Sequence, residues 1–168
     1  MLHLQANAVD DDALRGHLSE ASGRVSAIGR AYERLSYQAD VEDINLGPYL
    51  HEVCADAISA ASHCKLDFDA VQGIQLDADR AISLALIINE LVTNAAKYAF
   101  PNRSDGHIWV RLARQNENTA FISVGKSRGL GMRIVAGLSK QLGVDVSHRG
   151  DVDGTEFVLM VPLQRLTE

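Results

Sequence analysis

The sequence predicts an α+β chain in which a helical hairpin precedes a two-layer α/β sandwich, and three observations carry this reading. Apolar residues recur at alternating steps of four and three from Leu14 to Leu35. Period-two alternation of apolar and polar residues appears only beyond residue 41. A long helical pattern from Ala78 stops against Pro101, because the residue before a proline is pushed out of helical geometry.

Size and charge narrow the possibilities. The 168 residues suit one domain, or a compact domain with a helical appendage. Sixteen basic against 22 acidic residues leave a net charge of -6, which removes any general attraction to nucleic acid or to an anionic membrane. No apolar run approaches the roughly twenty residues that cross a bilayer. Met1 is not followed by the charged and apolar regions of a secretion signal. The expectation is a cytoplasmic chain without membrane contact, in which Cys54 and Cys64 are reduced thiols. The spacing of His51, Cys54, His63 and Cys64 fits no zinc pattern.

Residues 1 to 8 read as the end of one helix. Asp10, Asp11 and Asp12 then supply the negative charge that a helix N-terminus favours, and a second helix runs to about Ser36. Its seam, Leu14, Leu18, Ala21, Val25, Ile28, Tyr32 and Leu35, is that of a helix packed lengthwise against others. One helix cannot bury such a seam alone, so the hairpin is expected to complete a four-helix bundle in a homodimer.

The polar stretch "YQADVED" marks a boundary near residue 40. "INL" then reads as a short strand and "GPYLHEVCADAISAA" as an amphipathic helix with Pro48 in its first turn. "KLDFDAV" and "GIQLD" alternate as two strands around Gly73. Ala78 to Phe100 forms the long helix. "HIWVRLAR" and "TAFISV" make a hairpin around "QNEN". "GLGMRIVAGLSKQLG" is a glycine-led helix closed by Gly143, and "VDVSHRG" and "TEFVLMVPL" are the last strands. Helices on one face of a mixed sheet give the sandwich.

The long helix carries an unusual stripe. Glu90, Asn94 and Lys97 stand at i, i+4 and i+7, so they point from one narrow face with Thr93 beside them. Leu84, Ile87, Leu91, Ala95 and Tyr98 occupy the adjacent face and are expected to pack on the sheet. Spacing alone favours a solvated polar stripe making ordinary surface pairs. The glycines of "SRGLG" are open to a plain turn or to an anion-binding helix N-terminus.

The residue series is more specific than its spacing. "NELVTNAAKYAF" resembles the N-box of the histidine kinase ATPase domain, the Bergerat fold shared with DNA gyrase and MutL-type ATPases. Glu at the first position, Asn four later and "KYAFP" after it are most similar to the HWE-like and related sensor histidine kinases. "SGRVSAIGRAYERLS" resembles the second helix of the dimerisation and phosphotransfer bundle, and "INLGPYLHEVC" the segment joining it to the ATPase domain. "SRGLGMRIVAGLSKQLG" resembles the second glycine box and "GTEFVLMVPL" the closing strand. The resemblance implies dimerisation and phosphotransfer helices over 1–40 and an ATP-binding catalytic domain over 41–168.

It also implies roles. The residue at Asn94 supplies a carboxamide oxygen to Mg²⁺, and the residue at Glu90 orients or deprotonates a Mg²⁺-bound water or the attacking group. Lys97 offers a point charge to the phosphates of ATP. Tyr98 lies at the edge of the adenine pocket, with core packing equally compatible with its phase. Lys126 and Arg128 add positive charge before Gly129, Leu130 and Gly131, whose backbone N–H groups face an anion at the helix start. Gly154 and Thr155 match an element near the phosphates or the lid, beside the alternative of a plain turn into an edge strand.

Two departures qualify the match. The family carries a D-x-G-x-G segment, whose Asp binds the adenine amino group, and a lid after the strand matching "FISV"; here Val124 passes directly to "GKSRGLG". With the N-box and glycine box intact, loss of the lid segment from this sequence is expected over natural decay. The phosphoacceptor stretch is also absent, and His3 matches a position beyond it. The implied function is a sensor histidine kinase core that binds Mg²⁺-ATP, phosphorylates a bundle histidine and passes the phosphoryl group to a response regulator receiver domain. The alternative is a non-catalytic histidine phosphotransferase or pseudokinase that grips the regulator without using ATP. A Bergerat ATPase doing conformational work fits less well with a heptad helix preceding the fold.

Overall fold

Side chains alternate between more and less exposed along residues 64–70 and between buried and exposed along 106–112, and that alternation gives the mixed sheet one covered face. The computed structural model describes Gly29 and residues 43–59, 64–98, 106–125, 132–150 and 155–163, the side chains of 132–136 excepted. The chain divides into two compact units, Met1–Asp40 and Val41–Glu168, and the elements described here belong to the second. Gly29 apart, the expected helical hairpin and its dimer seam lie outside the described residues.

The elements run β1 (Asp43–Asn45), α1 (Leu46–Ser59), β2 (Cys64–Ala70), β3 (Gln75–Asp77), α2 (Ala78–Tyr98), β4 (Gly106–Asn116), β5 (Thr119–Gly125), α3 (Met132–Leu142), β6 (Asp145–Gly150) and β7 (Thr155–Pro162). The main sheet has the order β2-β4-β5-β7-β6, with β2 parallel to β4 and the other neighbours antiparallel. β1 and β3 form a separate antiparallel ribbon, in which Ile44 stands opposite Leu76.

Local chemistry sets the helix ends. Asp77 caps α2: its Oδ1 accepts from the Arg80 backbone N–H at 3.2 Å, which satisfies one of the orphan donors of the first turn. Helix α3 closes with Gly143 at φ 63°, where Val144 N–H donates to Ser139 O at 2.8 Å and Gly143 N–H to Lys140 O at 3.4 Å. That reciprocal pair satisfies the last carbonyls and needs the left-handed residue that glycine supplies.

The core lies between α2 and the sheet. Leu84, Ile87, Leu91 and Ala95 are fully buried, as the periodicity predicts. Ile108, Leu112, Ala120, Ile122 and Leu159 are equally buried on the strands. Helices α1 and α3 both pack against α2, which is therefore the central helix of its layer. Tyr98 departs from the expectation: it is 52% exposed and does not pack on the sheet, so the core reading of this residue is corrected.

Both cysteines are free thiols and buried. Burial pushes the Cys54 thiol up from 9.0 to about 12. The unfolded thiol loses its proton above about pH 9 while the folded one keeps it to about 12. Stability is therefore full below pH 9 and falls as pH rises through that window, by about 1.4 kcal/mol per pH unit. Urea unfolding between pH 8 and 10.5 should show this slope, and Cys54→Ala should remove that part of it.

The opposite face of the sheet is open. His107, Trp109 and Arg111 point from it between the buried Ile108, Val110 and Leu112. The five-membered ring of Trp109 lies over Gly125, where a Cβ would fall 2.5 Å from Nε1 and 2.6 Å from Cε2. Gly125→Ala should push the indole outward and shift the emission of this single tryptophan to the red, at a cost of about 1–3 kcal/mol.

Candidate functional site

The elements gather the sequence-predicted residues at one end of the sandwich. The first turn of α2 is tied to the last residue of β7, where an Arg80 Nη donates to the Pro162 carbonyl. Its last turns reach the start of β2, where the Cys64 Sγ lies 3.9 Å from the Ala96 carbonyl oxygen. Cys64 stands opposite Gly106 at the start of β4, and Gly125 at the end of β5 stands opposite Glu156 near the start of β7. The C-terminal half of α2, which bears Glu90, Asn94 and Lys97, thus shares its end of the sheet with Gly125 and Thr155. The chain leaves the sheet there for residues 126–131 and α3.

Burial separates the stripe from an ordinary polar face. Asp79 is exposed and Ser83, Leu86 and Thr93 are partly exposed along the outward side of α2. Glu90 and Asn94, set between them, are only 8% and 4% exposed. The solvated-stripe expectation therefore fails for these two residues and holds for Lys97, which is exposed one turn further on. A carboxylate and a carboxamide withdrawn from water cost several kcal/mol unless something polar compensates them. Among the described residues no hydrogen bond to the Asn94 side chain is found.

Such an arrangement suits a hard cation. A carboxamide oxygen and a neighbouring carboxylate are oxygen donors, and a cation that keeps waters and phosphate oxygens as its other ligands requires few protein groups. Among the described residues no three His, Cys, Asp or Glu side chains gather into a metal cage. Lys97 follows Asn94 by three residues, within reach of an anion bound beside it.

Comparison with known proteins bears on this geometry. A family profile described as histidine kinase matches residues 1–61. The sensor histidine kinase PdtaS of Mycolicibacterium smegmatis is 30% identical over 186 residues, covering 98% of this chain and 36% of PdtaS. PdtaS of Mycobacterium tuberculosis is 31% identical over 187 residues, with the same coverage. Among solved structures, the Erythrobacter litoralis EL346 blue-light activated histidine kinase matches with a TM-score of 0.75 at 23% identity, covering 88% of this chain and 50% of that one. These likenesses support an HWE-like histidine kinase core.

The chain spans about a third of the length of the curated relatives it matches. Its α/β unit is the Bergerat sandwich: the catalytic domain of histidine kinase ThkA shares the fold with a TM-score of 0.60 at 16% identity, over 72% of this chain. The aligned 186 positions exceed the 168 residues here, so at least 18 positions of the Mycolicibacterium smegmatis relative have no counterpart in this chain. No helix among the described residues is long and apolar enough to cross a membrane.

Of the residues expected at the site, Lys126, Arg128, Gly129, Leu130 and Gly131 lie outside the described residues, as does Gly154. Thr155 opens β7, half-buried and opposite Gly150. Tyr98 is exposed at the last turn of α2, on the same end of the sheet as Thr155. Sequence reasoning passed over Gly125, whose place beside β7 fixes where the chain turns towards α3; only the cross-strand register reveals it.

Proposed function

We propose that this core binds Mg²⁺-ATP at the C-terminal end of α2, transfers the γ-phosphoryl group to a histidine of the helical bundle, and serves a response regulator receiver domain as the next acceptor. The burial of Glu90 and Asn94 side by side, on a helix flanked by α3, carries this reading. Phosphoryl transfer asks for positioning and charge neutralisation more than for covalent chemistry, so a few polar groups on one rigid helix can supply it.

Each residue then has a task set by its place. Asn94 presents a carboxamide oxygen to the cation. Glu90, four residues earlier on the same face, orients the attacking group or accepts its proton. Lys97 places positive charge beside the phosphates while its stem runs along the helix end. Lys126, Arg128 and the N–H groups of Gly129, Leu130 and Gly131 would meet the phosphates from the start of α3. Tyr98 and Thr155 border the nucleotide, and the α1–α2 layer keeps the site rigid. Bound Mg²⁺ would neutralise phosphate charge. The bundle of residues 1–40 would pair two chains into the dimer.

A second reading draws on the direct passage from Val124 to Gly125 and Lys126 without an adenine-binding Asp. There the domain grips a regulator without using ATP. One experiment separates the two: titration of the chain with a non-hydrolysable ATP analogue in Mg²⁺ and in EDTA, followed by phosphohistidine analysis of the protein carrying its acceptor helix. Mg²⁺-dependent binding and a base-stable, acid-labile label support the kinase. Absence of both leaves the non-catalytic reading.

A further inference from the structure

The open face of the sheet carries a site that the kinase reading does not use. Its register places Asp67, Trp109, Gly125 and Glu156 in one row across β2, β4, β5 and β7, with Asp69, Arg111 and Ser123 in the next outward-facing row. A concavity of about 380 Å³ opens over these rows, lined by the side chains of both. Three carboxylates stand in it against the Arg111 guanidinium and the His107 imidazole, with Arg149 of β6 opposite Glu156 at the rim. Arg111 is already engaged, its Nε 3.5 Å from an Asp69 oxygen. Asp67 has only the weak approach of His107 Nε2 at 4.0 Å, and Glu156 makes no ion pair among the described residues.

Two further observations point to a ligand. Trp109 is 38% exposed although one face of its indole rests on Gly125, so its other face is presented to the concavity. Ser123, only 2% exposed, lines the floor, and no hydrogen bond to its hydroxyl is found among the described residues. An indole face flanked by carboxylates recognises a guanidinium or ammonium group, and a withdrawn hydroxyl adds an acceptor for its N–H.

We infer that this face binds a basic peptide segment of a partner protein, with an arginine or lysine side chain over Trp109 between Asp67 and Glu156. The shape favours a peptide over a free amine. From β2 to β7 the site crosses three strand spacings of about 4.8 Å, roughly 14 Å, which an extended chain covers in about four residues. The site faces away from α2, so this binding stands or falls separately from the nucleotide site.

Trp109 is the single tryptophan of the chain, so its fluorescence reads the site directly. The probe is a blocked four-residue peptide carrying one arginine and one lysine, titrated against the whole chain at low salt. The expected result is saturable quenching that weakens roughly tenfold in the double variant Asp67→Asn, Glu156→Gln and fades with added salt. A matched acidic peptide should leave the emission unchanged. Circular dichroism checks that the variant stays folded, which the exposed Asp67 and the half-buried Glu156 permit, both changes being close in size and shape. No saturable change with the basic peptide, or the same affinity in the folded double variant, would overturn the proposal. Equal affinity for arginine amide alone would overturn the peptide assignment in favour of a small-cation site.

Discussion

Replacing Asn94 by alanine is expected to weaken Mg²⁺-ATP binding by roughly 30- to 150-fold, the equivalent of about 2–3 kcal/mol for a contact to a charged group. The position is 4% exposed, and no side-chain hydrogen bond to protein is found among the described residues, so the substitution removes little that holds the fold together. The melting temperature without ligand should accordingly move by no more than a few degrees. Calorimetry with a non-hydrolysable ATP analogue measures the first quantity, and thermal unfolding measures the second. An Asn94→Ala chain that binds the analogue as tightly as the parent would remove the metal-binding assignment.

Leu91→Ala is expected to do the opposite. Leu91 is fully buried on the face of α2 that meets the sheet, three residues before Asn94 and one after Glu90. Deleting its branched end loses transfer free energy and leaves a cavity that a helix flanked by α1 and α3 cannot close. Unfolding in urea should show about 2–5 kcal/mol of lost stability. Nucleotide affinity of the fraction that remains folded should be nearly unchanged. The two variants lie within one turn of each other, and their opposite phenotypes would separate the scaffold role of the helix from its binding role.

Much of this was legible in the sequence because periodicity reports direction. Leu84, Ile87, Leu91 and Ala95 recur at helical spacing and all lie in the core. His107, Trp109 and Arg111 alternate with Ile108, Val110 and Leu112, and the alternation assigns each set to its face. Periodicity does not report position along the axis. Tyr98 has the phase of the core residues, yet α2 passes the start of β2 at Ala96, and two residues later the ring has no sheet beneath it.

Burial of a polar group was likewise beyond the pattern. The spacing of Glu90, Asn94 and Lys97 defines a face, but how far each is withdrawn is a tertiary outcome: the first two are 8% and 4% exposed and Lys97 is exposed. Strand pairing followed the same logic. Alternation marks "INL" and "GIQLD" as strands, while the register that sets them apart as their own ribbon is a tertiary outcome. The stacking of Trp109 on Gly125 also needs the register of β4 on β5. Glycine at 125 reads in sequence only as the start of a turn.

The claim that the buried end of α2 holds the nucleotide is tested most directly by NMR of the chain titrated with Mg²⁺ and a non-hydrolysable ATP analogue. The account predicts shifts concentrated at the Asn94 side-chain amide, at the backbone of residues 90–98 and at the start of α3, with the Trp109 indole N–H unmoved. Shifts confined to the open face of the sheet, or an Asn94 side-chain amide that stays in place while the analogue binds elsewhere, would contradict it.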